Sequence, residues 1–362
     1  MKKVCFLCPK VYPLFNEKCS APFGGGAEVQ MYILAKELSS YADIKVSFVV
    51  ADEGQCSKET FGSIDVFKSL RFKDAILGKI MNFHKAMKMA DADLYIQSTL
   101  NPFSGAMALL CRLKGKKFVY RVASDSEVDG RYEREKGAFI GYLSKIVFKF
   151  SDLVIVQNTS QRDAISQRKV KNVLLLRSGV DIANSAVQKE DFVLWVGRSV
   201  EMKRPELFIQ LAKQMPEIRF VMILSGDPDS KLHQLIKSQC KGAPNLELHE
   251  SMPFREAERY FQKAKVFVST SEMEGFPMVF LQAAANRTPI VSLSVDPDGI
   301  LSEKRCGLFS GGNISLLKKQ INEVLHDGNL YRELGENGYN FVKENCPVTR
   351  IAKQLYESII KL

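Results

Sequence analysis

Little in this 362-residue chain points to hydrolytic, metal or membrane-spanning chemistry. It has four histidines and no G-x-S-x-G motif, so the order of serine, histidine and acid that a serine hydrolase needs is missing. Its apolar runs stop well short of the roughly 18 residues that cross a bilayer. The run Val4–Cys8 follows Met1-Lys2-Lys3 as a signal peptide would, but it ends at Pro9 without a small-residue cleavage site and reads as a mature N-terminus. Eight cysteines form no disulfide framework. The one C-x-x-C pair, Cys5 and Cys8, is expected on a strand, where a three-residue spacing turns the thiols to opposite faces and excludes a shared metal or redox role. A reducing cytoplasm is the expected compartment.

The composition, 46% hydrophobic and 25% charged, is that of a globular protein, and the length predicts two domains. The formal net charge of +10 belongs wholly to residues 1–180, while residues 181–362 are neutral. A basic half suits an anionic membrane surface or a phosphorylated lipid. It lacks the interleaved aromatics of a nucleic-acid module, so no nucleic-acid partner is expected.

Short β-branched or apolar runs alternate with helix-period segments, the pattern of an α/β protein with parallel sheets. In the first half the expected strands are Val4–Cys8, Lys45–Val50, Leu94–Gln97, Phe118–Arg121, Leu153–Val156 and Val173–Leu176. The helices between them are Ala27–Leu38, Asp74–Ala90, Pro102–Leu113 and Glu135–Phe150. The second half repeats the alternation with strands Phe192–Val196, Arg219–Leu224, Leu246–His249, Val266–Ser269 and Ile290–Leu293. Its helices are Pro205–Gln214, Ser230–Gln239, Arg255–Ala264 and Pro277–Ala285, followed by Ile314–Leu325, Asn329–Asn345 and Thr349–Lys361. The polar, aperiodic stretch Asp181–Glu190 is the expected linker. Two doubly wound domains facing across a cleft result, residues 1–180 and 191–345, with ligands at the carboxyl ends of the strands.

Three constellations carry chemistry. Gly24-Gly25-Gly26 precedes a helix start, where glycine lets the backbone approach a ligand and free amides attract phosphate. Arg198 ends a strand at Val196-Gly197, and Lys203 stands just before the helix that Pro205 opens. Two cations there can clamp a diphosphate and neutralise the charge it gains on leaving. Third, Glu274-Gly275-Phe276-Pro277-Met278-Val279 forms a turn into a helix that carries Gln282.

Glu274-Gly275-Phe276-Pro277 through Ala285, with Thr288-Pro289-Ile290-Val291, resembles the glutamate, seven residues, glutamate motif of retaining family 4 glycosyltransferases. Gly197-Arg198 with Lys203 is similar to that family's phosphate-binding pair. Gly24-Gly25-Gly26, Ser151–Gln157, Gly179-Val180-Asp181 and Gly307-Leu308-Phe309 fall in the family's order along nearly the whole chain. The resemblance implies a GT-B fold of two Rossmann-like domains, an acceptor domain over 1–180 and a nucleotide-sugar domain over 191–345, with the helix 349–362 packing back on the first. By the same resemblance Gly25, Gly26, Arg198, Lys203, Glu274, Gly275, Phe276, Pro277, Met278, Val279 and Gln282 bind a nucleotide-diphosphate sugar. Arg198, Lys203 and Glu274 act in a retaining transfer that needs no metal or cofactor, to a glycan or lipid-linked acceptor in surface polysaccharide synthesis, at the inner membrane face.

The pattern departs from the family at three positions. Residue 282 is Gln rather than Glu, which keeps an acceptor oxygen, loses the charge and adds donors, so Gln282→Glu is expected to raise donor affinity. Residue 287 is Arg where the family prefers Gly, so Asn286 is expected to close the turn in a left-handed conformation. At Ala123-Ser124-Asp125 the family's histidine is missing, and Asp125 is the nearest polar substitute. Gln282 and the missing histidine define the alternative reading, a catalytically weakened protein that binds nucleotide or glycan as a partner subunit. The D-x-D pairs of a metal-dependent enzyme reduce to Asp91/Asp93, Asp227/Asp229 and Asp296/Asp298, which read as caps and turns.

Overall fold

The computed structural model describes every residue except 20–23, 102, 169, 171, 183–186 and 251, and at 76, 136, 138–140, 143 and 144 the backbone alone. Pro102, the expected first residue of a helix, and residues 183–186 of the expected linker lie outside the described residues. The chain divides into unit 1, residues 1–179 with 348–362, and unit 2, residues 180–347.

Unit 1 runs β1 (Lys2–Leu7), α1 (Tyr12–Phe15), α2 (Gly26–Leu38), β2 (Ile44–Val50), β3 (Lys58–Phe61), β4 (Ile64–Lys68), α3 (Ile76–Ala90), β5 (Leu94–Ser98), α4 (Ser104–Leu113), β6 (Lys117–Arg121), α5 (Arg131–Lys136), α6 (Ala138–Phe150), β7 (Leu153–Val156), α7 (Thr159–Ser166) and β8 (Val173–Leu175). The sheet order is β3-β4-β2-β1-β5-β6-β7-β8, parallel except for the β3–β4 hairpin. Strands buried on both faces read as unbroken apolar runs because helices cover each side. Along β1, Val4 and Phe6 enter one core layer and Cys5 and Leu7 the other. Cys8 falls in the layer opposite to Cys5, as its spacing requires. A closing helix, Val348–Ile360, buries Ile351, Leu355 and Ile359 in the core beside α2 and stacks Tyr356 on Tyr41 at 4.4 Å.

Unit 2 runs β9 (Glu190–Arg198), α8 (Pro205–Gln214), β10 (Arg219–Ser225), α9 (Lys231–Cys240), β11 (Leu246–Glu250), α10 (Phe254–Lys263), β12 (Ala264–Ser269), α11 (Met278–Ala285), β13 (Ile290–Ser292), β14 (Gly307–Phe309), α12 (Ile314–His326) and α13 (Gly328–Asn345), and the closing helix above is α14. Its sheet, β11-β10-β9-β12-β13-β14, is parallel throughout. From β9 the chain winds outward to β10 and then returns to β12 on the other side, which makes the carboxyl ends of β9 and β12 the topological switch point.

Two local expectations are corrected. Asn286 has φ −103 and it is Arg287 that turns left-handed, at φ 53. The strain on a non-glycine residue is offset by its guanidinium, which lies 3.5 Å from the Tyr339 ring centre and pairs with Glu336 at 2.7 Å. The end of the expected linker is also less solvated than its composition implies: Lys189 Nζ donates to Asn286 O at 2.8 Å and to Thr288 Oγ1 at 2.6 Å, and Glu190 already starts β9.

Candidate active site

At the switch point of unit 2 the loop after β9 and the loop after β12 are fastened together. Thr270, fully buried, donates to Lys203 O at 2.7 Å and accepts from Trp195 Nε1 at 3.0 Å. The Glu272 amide donates to Met202 O at 2.9 Å. Arg204, at φ 46 before Pro205, donates to Thr270 O at 2.9 Å and to Ser294 Oγ at 2.7 Å, so this cation is used up in holding the loops. Lys203 and Glu274 are thereby brought together in an ion pair, with 16% and 14% of their side chains exposed. Arg198, the last residue of β9, is half-buried, and its side chain makes no hydrogen bond or ion pair among the described residues. A paired lysine and an uncommitted arginine at one strand end are a cationic site with one position open.

Helix α11 starts beside that pair. Pro277 is its N-cap, and no side chain caps it. The first-turn amides of Met278 and Val279 have no residue four positions earlier within the helix to donate to, which leaves them for an anion. Gln282 does not reach back to this turn. Its Nε2 donates to Glu258 Oε2 on α10 at 2.8 Å, and Asn286 Nδ2 donates to Glu258 Oε1 at 3.0 Å. Burial raises the Glu258 carboxyl above the ordinary glutamate value, and the charge of Asp181 adds to the effect.

A third group at the end of β9 was not foreseen from the sequence. Ser199 follows Arg198, and its Oγ lies 3.1 Å from Nδ1 of the fully buried His233, whose Nε2 lies 3.1 Å from Glu250 Oε2. Gly226 packs onto this serine: at φ 124, a Cβ there would stand 2.5 Å from Ser199 Oγ, so only glycine fits. The chain Ser199–His233–Glu250 ties the residue next to Arg198 to α9 and β11.

In unit 1 the sequence-marked residues sit at the carboxyl ends of strands. Gly25 is the N-cap of α2 at φ 138 and ψ −158, a conformation essentially confined to glycine, and Gly26 is the helix's first residue. Asp125 is not a solvated loop residue. Its Oδ1 accepts from Asn158 Nδ2 at 3.0 Å and Gln161 Nε2 at 2.9 Å, and burial raises its carboxyl despite those two bonds. Beside it Arg121, wholly buried at the end of β6, donates to Gln157 Oε1 at 2.8 Å and Ser178 Oγ at 2.9 Å, and burial lowers its guanidinium to about 10. Of the acidic pairs weighed as metal ligands, one member of each has protein partners: Asp227 accepts from the Asp229 amide at 3.0 Å, Asp296 accepts from Leu301 and Ser302, and Asp91 pairs with Lys3 and Lys116.

Comparison with known proteins fits this arrangement. Residues 181–341 match the family described as glycosyl transferases group 1. The GalNAc-alpha-(1->4)-GalNAc-alpha-(1->3)-diNAcBac-PP-undecaprenol alpha-1,4-N-acetyl-D-galactosaminyltransferase of Campylobacter jejuni is 23% identical over 341 residues, 89% of this chain and 90% of that protein. The structure of sucrose-phosphate synthase from Thermosynechococcus elongatus superposes with a TM-score of 0.81 at 18% identity, over 100% of both chains. That of a TarM mutant from S. aureus, in complex with fondaparinux, alpha-GlcNAc-glycerol and UDP, gives 0.75 at 14% identity over 99% of both. The match to that family spans nearly all of unit 2, and along its full length the chain has the GT-B fold, the pair of Rossmann-like units that its sequence resembles.

Proposed function

We propose that the protein transfers a sugar from a nucleotide-diphosphate donor, with retention of configuration and without a metal, to a glycan or lipid-linked acceptor in surface polysaccharide synthesis. The observation that carries this is the Lys203–Glu274 pair at the switch point of unit 2, next to Arg198 and the uncapped start of α11. Arg198, Lys203 and the amides of Phe276, Met278 and Val279 hold the diphosphate, and Glu274 contacts the donor sugar. Gly275 and Pro277 shape that turn, Gln282 lies on the helix behind it, and Gly25 and Gly26 offer a second phosphate-facing helix start in unit 1.

As the bond from the anomeric carbon to the diphosphate breaks, the acceptor oxygen bonds to the same face and its proton passes to a leaving phosphate oxygen, whose charge the two cations neutralise. Unit 1, which carries Asp125 and the net positive charge, takes the acceptor, and the protein works in the cytoplasm in contact with an anionic membrane. Support for a UDP-type donor and a lipid-linked acceptor comes from the UDP held by the TarM structure and from the undecaprenol-linked glycan named for the Campylobacter relative.

Thermal-shift screening against nucleoside diphosphates and nucleotide sugars, followed by transfer assays in a chelator and NMR of the anomeric centre, tests the reading. One nucleotide should stabilise the protein by mass action, and transfer should survive the chelator with retained configuration. Inverted product or loss of activity in the chelator overturns the mechanism. The engagement of Gln282 with Glu258 favours one rival, a partner subunit, and nucleotide binding without turnover of any donor would select it.

A further inference from the structure

Exposed apolar side chains are unevenly placed on this protein. Among the described residues thirteen large apolar side chains are exposed, and seven of them lie on α3, α4 and α6. These three helices cover the same face of the unit 1 sheet, sending Met87, Cys111 and Phe148 into one shared core layer. On their outer side α3 presents Leu77 and Met81, 75% and 69% exposed and one turn apart, α4 presents Leu113 at 75%, and α6 presents Tyr142 at 66%. Just before α3, Phe72 is also exposed, with Lys10 Nζ over its ring.

The charge of these three helices is of one sign. The three helices hold six basic residues, Lys79, Lys85, Lys88, Arg112, Lys145 and Lys149, and no aspartate or glutamate. Some of these stand in last turns, where a helix favours cations in any case. That preference explains neither the missing acids nor the outward apolar residues. The opposite layer is built differently, for α2 and α14 carry Glu28, Glu37 and Glu357 and expose a single large apolar side chain, Ile360. Between the ends of α4 and α6, moreover, Arg112, Lys145, Lys149 and Arg168 line a cavity of about 660 Å³. Its one carboxylate, Asp152, is committed to Lys117 at 3.1 Å and to the Phe118 amide at 2.9 Å.

From this we infer that the α3–α4–α6 layer is the surface by which the protein lies on an anionic phospholipid bilayer. Leu77, Met81, Leu113 and Tyr142 enter the headgroup boundary, while the lysines and Arg112 meet lipid phosphates. Apolar side chains ringed by cations of one sign fit an acidic interface, because neither a neutral bilayer nor plain water accounts for both features. The inference rests on the reading of a membrane-held acceptor and names the face that meets the membrane.

Flotation of the full chain with phosphatidylcholine vesicles, with and without phosphatidylglycerol, tests it. The protein should float only with vesicles that contain phosphatidylglycerol, and less as salt rises. Leu77→Ser/Met81→Ser should lower the partition about tenfold, and Lys85→Glu/Lys88→Glu should abolish the preference for anionic lipid. Both variants should keep the thermal midpoint and the nucleotide-induced shift of the parent. Vesicle binding needs no donor, so it can succeed or fail independently of the transferase reading. A parent protein that ignores anionic vesicles, or a Leu77→Ser/Met81→Ser variant that binds them equally well, overturns the inference. So does a parent that sediments as a dimer and becomes a monomer in that variant, since a second copy then covers the face.

Discussion

Gln282 and Glu258 are joined at 2.8 Å across α10 and α11, with Asn286 on the other carboxylate oxygen at 3.0 Å. The amide at position 282 is therefore a donor to a half-buried acid, and its loss of charge relative to the family pattern matches its partner's carboxylate. Gln282→Glu would set two carboxylates against each other in a poorly solvated place. It should destabilise the protein by about 1–3 kcal/mol and lower nucleotide affinity, contrary to the gain expected from sequence. The exchange Gln282→Glu/Glu258→Gln should recover most of the loss. Urea unfolding of the two single variants and the double variant measures this coupling; equal losses in the double and in Gln282→Glu would break the link.

The same pair sets a pH dependence. Because burial raises the folded-state pKa of Glu258 above its ordinary value of 4.5, the folded form holds a proton that the unfolded chain has lost in the window just above that value. The stability this group contributes is present below pH 4.5 and is lost as pH rises through its folded value. Glu258→Gln removes the titration. The advantage of the parent over this variant should shrink as pH rises from the acid range to neutrality, and thermal midpoints taken across that range should show it. A constant difference would mean that Glu258 titrates normally.

Lys203 faces two anions in this reading, Glu274 in the free protein and the donor diphosphate in the complex. Lys203→Ala should weaken nucleotide diphosphate binding and transfer together. Glu274→Gln, which frees the lysine, should leave nucleotide diphosphate affinity equal or tighter while transfer falls on the order of 10²-fold, the scale for losing one group that acts at the reacting centre. Calorimetric affinities beside initial rates separate the two. If Glu274→Gln weakens nucleotide binding as much as Lys203→Ala does, the carboxylate is only a support for the loop.

How much of this was legible beforehand depends on range. The strands β9 and β12, the helix opened by Pro205 and the start of α11 after Pro277 announce themselves through apolar runs, glycine and proline within a few residues. The β3–β4 hairpin escaped notice although Phe61-Gly62-Ser63-Ile64 carries a two-residue turn with Gly62 at φ 60, because its strands are short and carry Lys58, Glu59 and Asp65. What the sequence could not reveal is which partner each polar side chain finds. Glu258 lies 24 residues from Gln282, and Ser199 lies 34 from His233. Neither pairing follows from a spacing: Glu258 meets Gln282 because α10 and α11, which flank β12 in the chain, pack side by side, and Ser199 meets His233 because the parallel pairing of β9 with β10 sets the end of β9 against α9. The partners of Asp125 were hidden for the same reason: Asn158 and Gln161, which enclose it, come from the N-cap and first turn of α7 after the neighbouring strand β7.

His233 offers a test of how Arg198 is held. The imidazole bridges Ser199 Oγ and Glu250 with no exposed surface, so removing it strands two polar groups. His233→Ala should cost about 1–3 kcal/mol and should also raise the nucleotide dissociation constant, because the residue beside Arg198 loses its anchor. His233→Gln, which can reach one of the two partners, should recover part of both effects. A variant that is destabilised yet binds nucleotide as the parent does would confine the bridge to folding.

Asp125 separates the two halves of the proposed reaction. Its carboxyl is enclosed by Asn158 and Gln161 through Oδ1, and among the described residues no donor reaches Oδ2, which leaves that oxygen for a hydroxyl of an incoming sugar. If unit 1 holds the acceptor, Asp125→Ala should reduce transfer at least tenfold through acceptor KM or turnover, with nucleotide affinity unchanged, because every cation assigned to the diphosphate lies in unit 2. Asp125→Asn keeps one acceptor oxygen for the two amides and should fold as the parent does, so its rate reports on Oδ2 and the charge rather than on packing. A loss of nucleotide affinity in Asp125→Asn would move this residue to the donor side of the reaction and end the division of labour between the units.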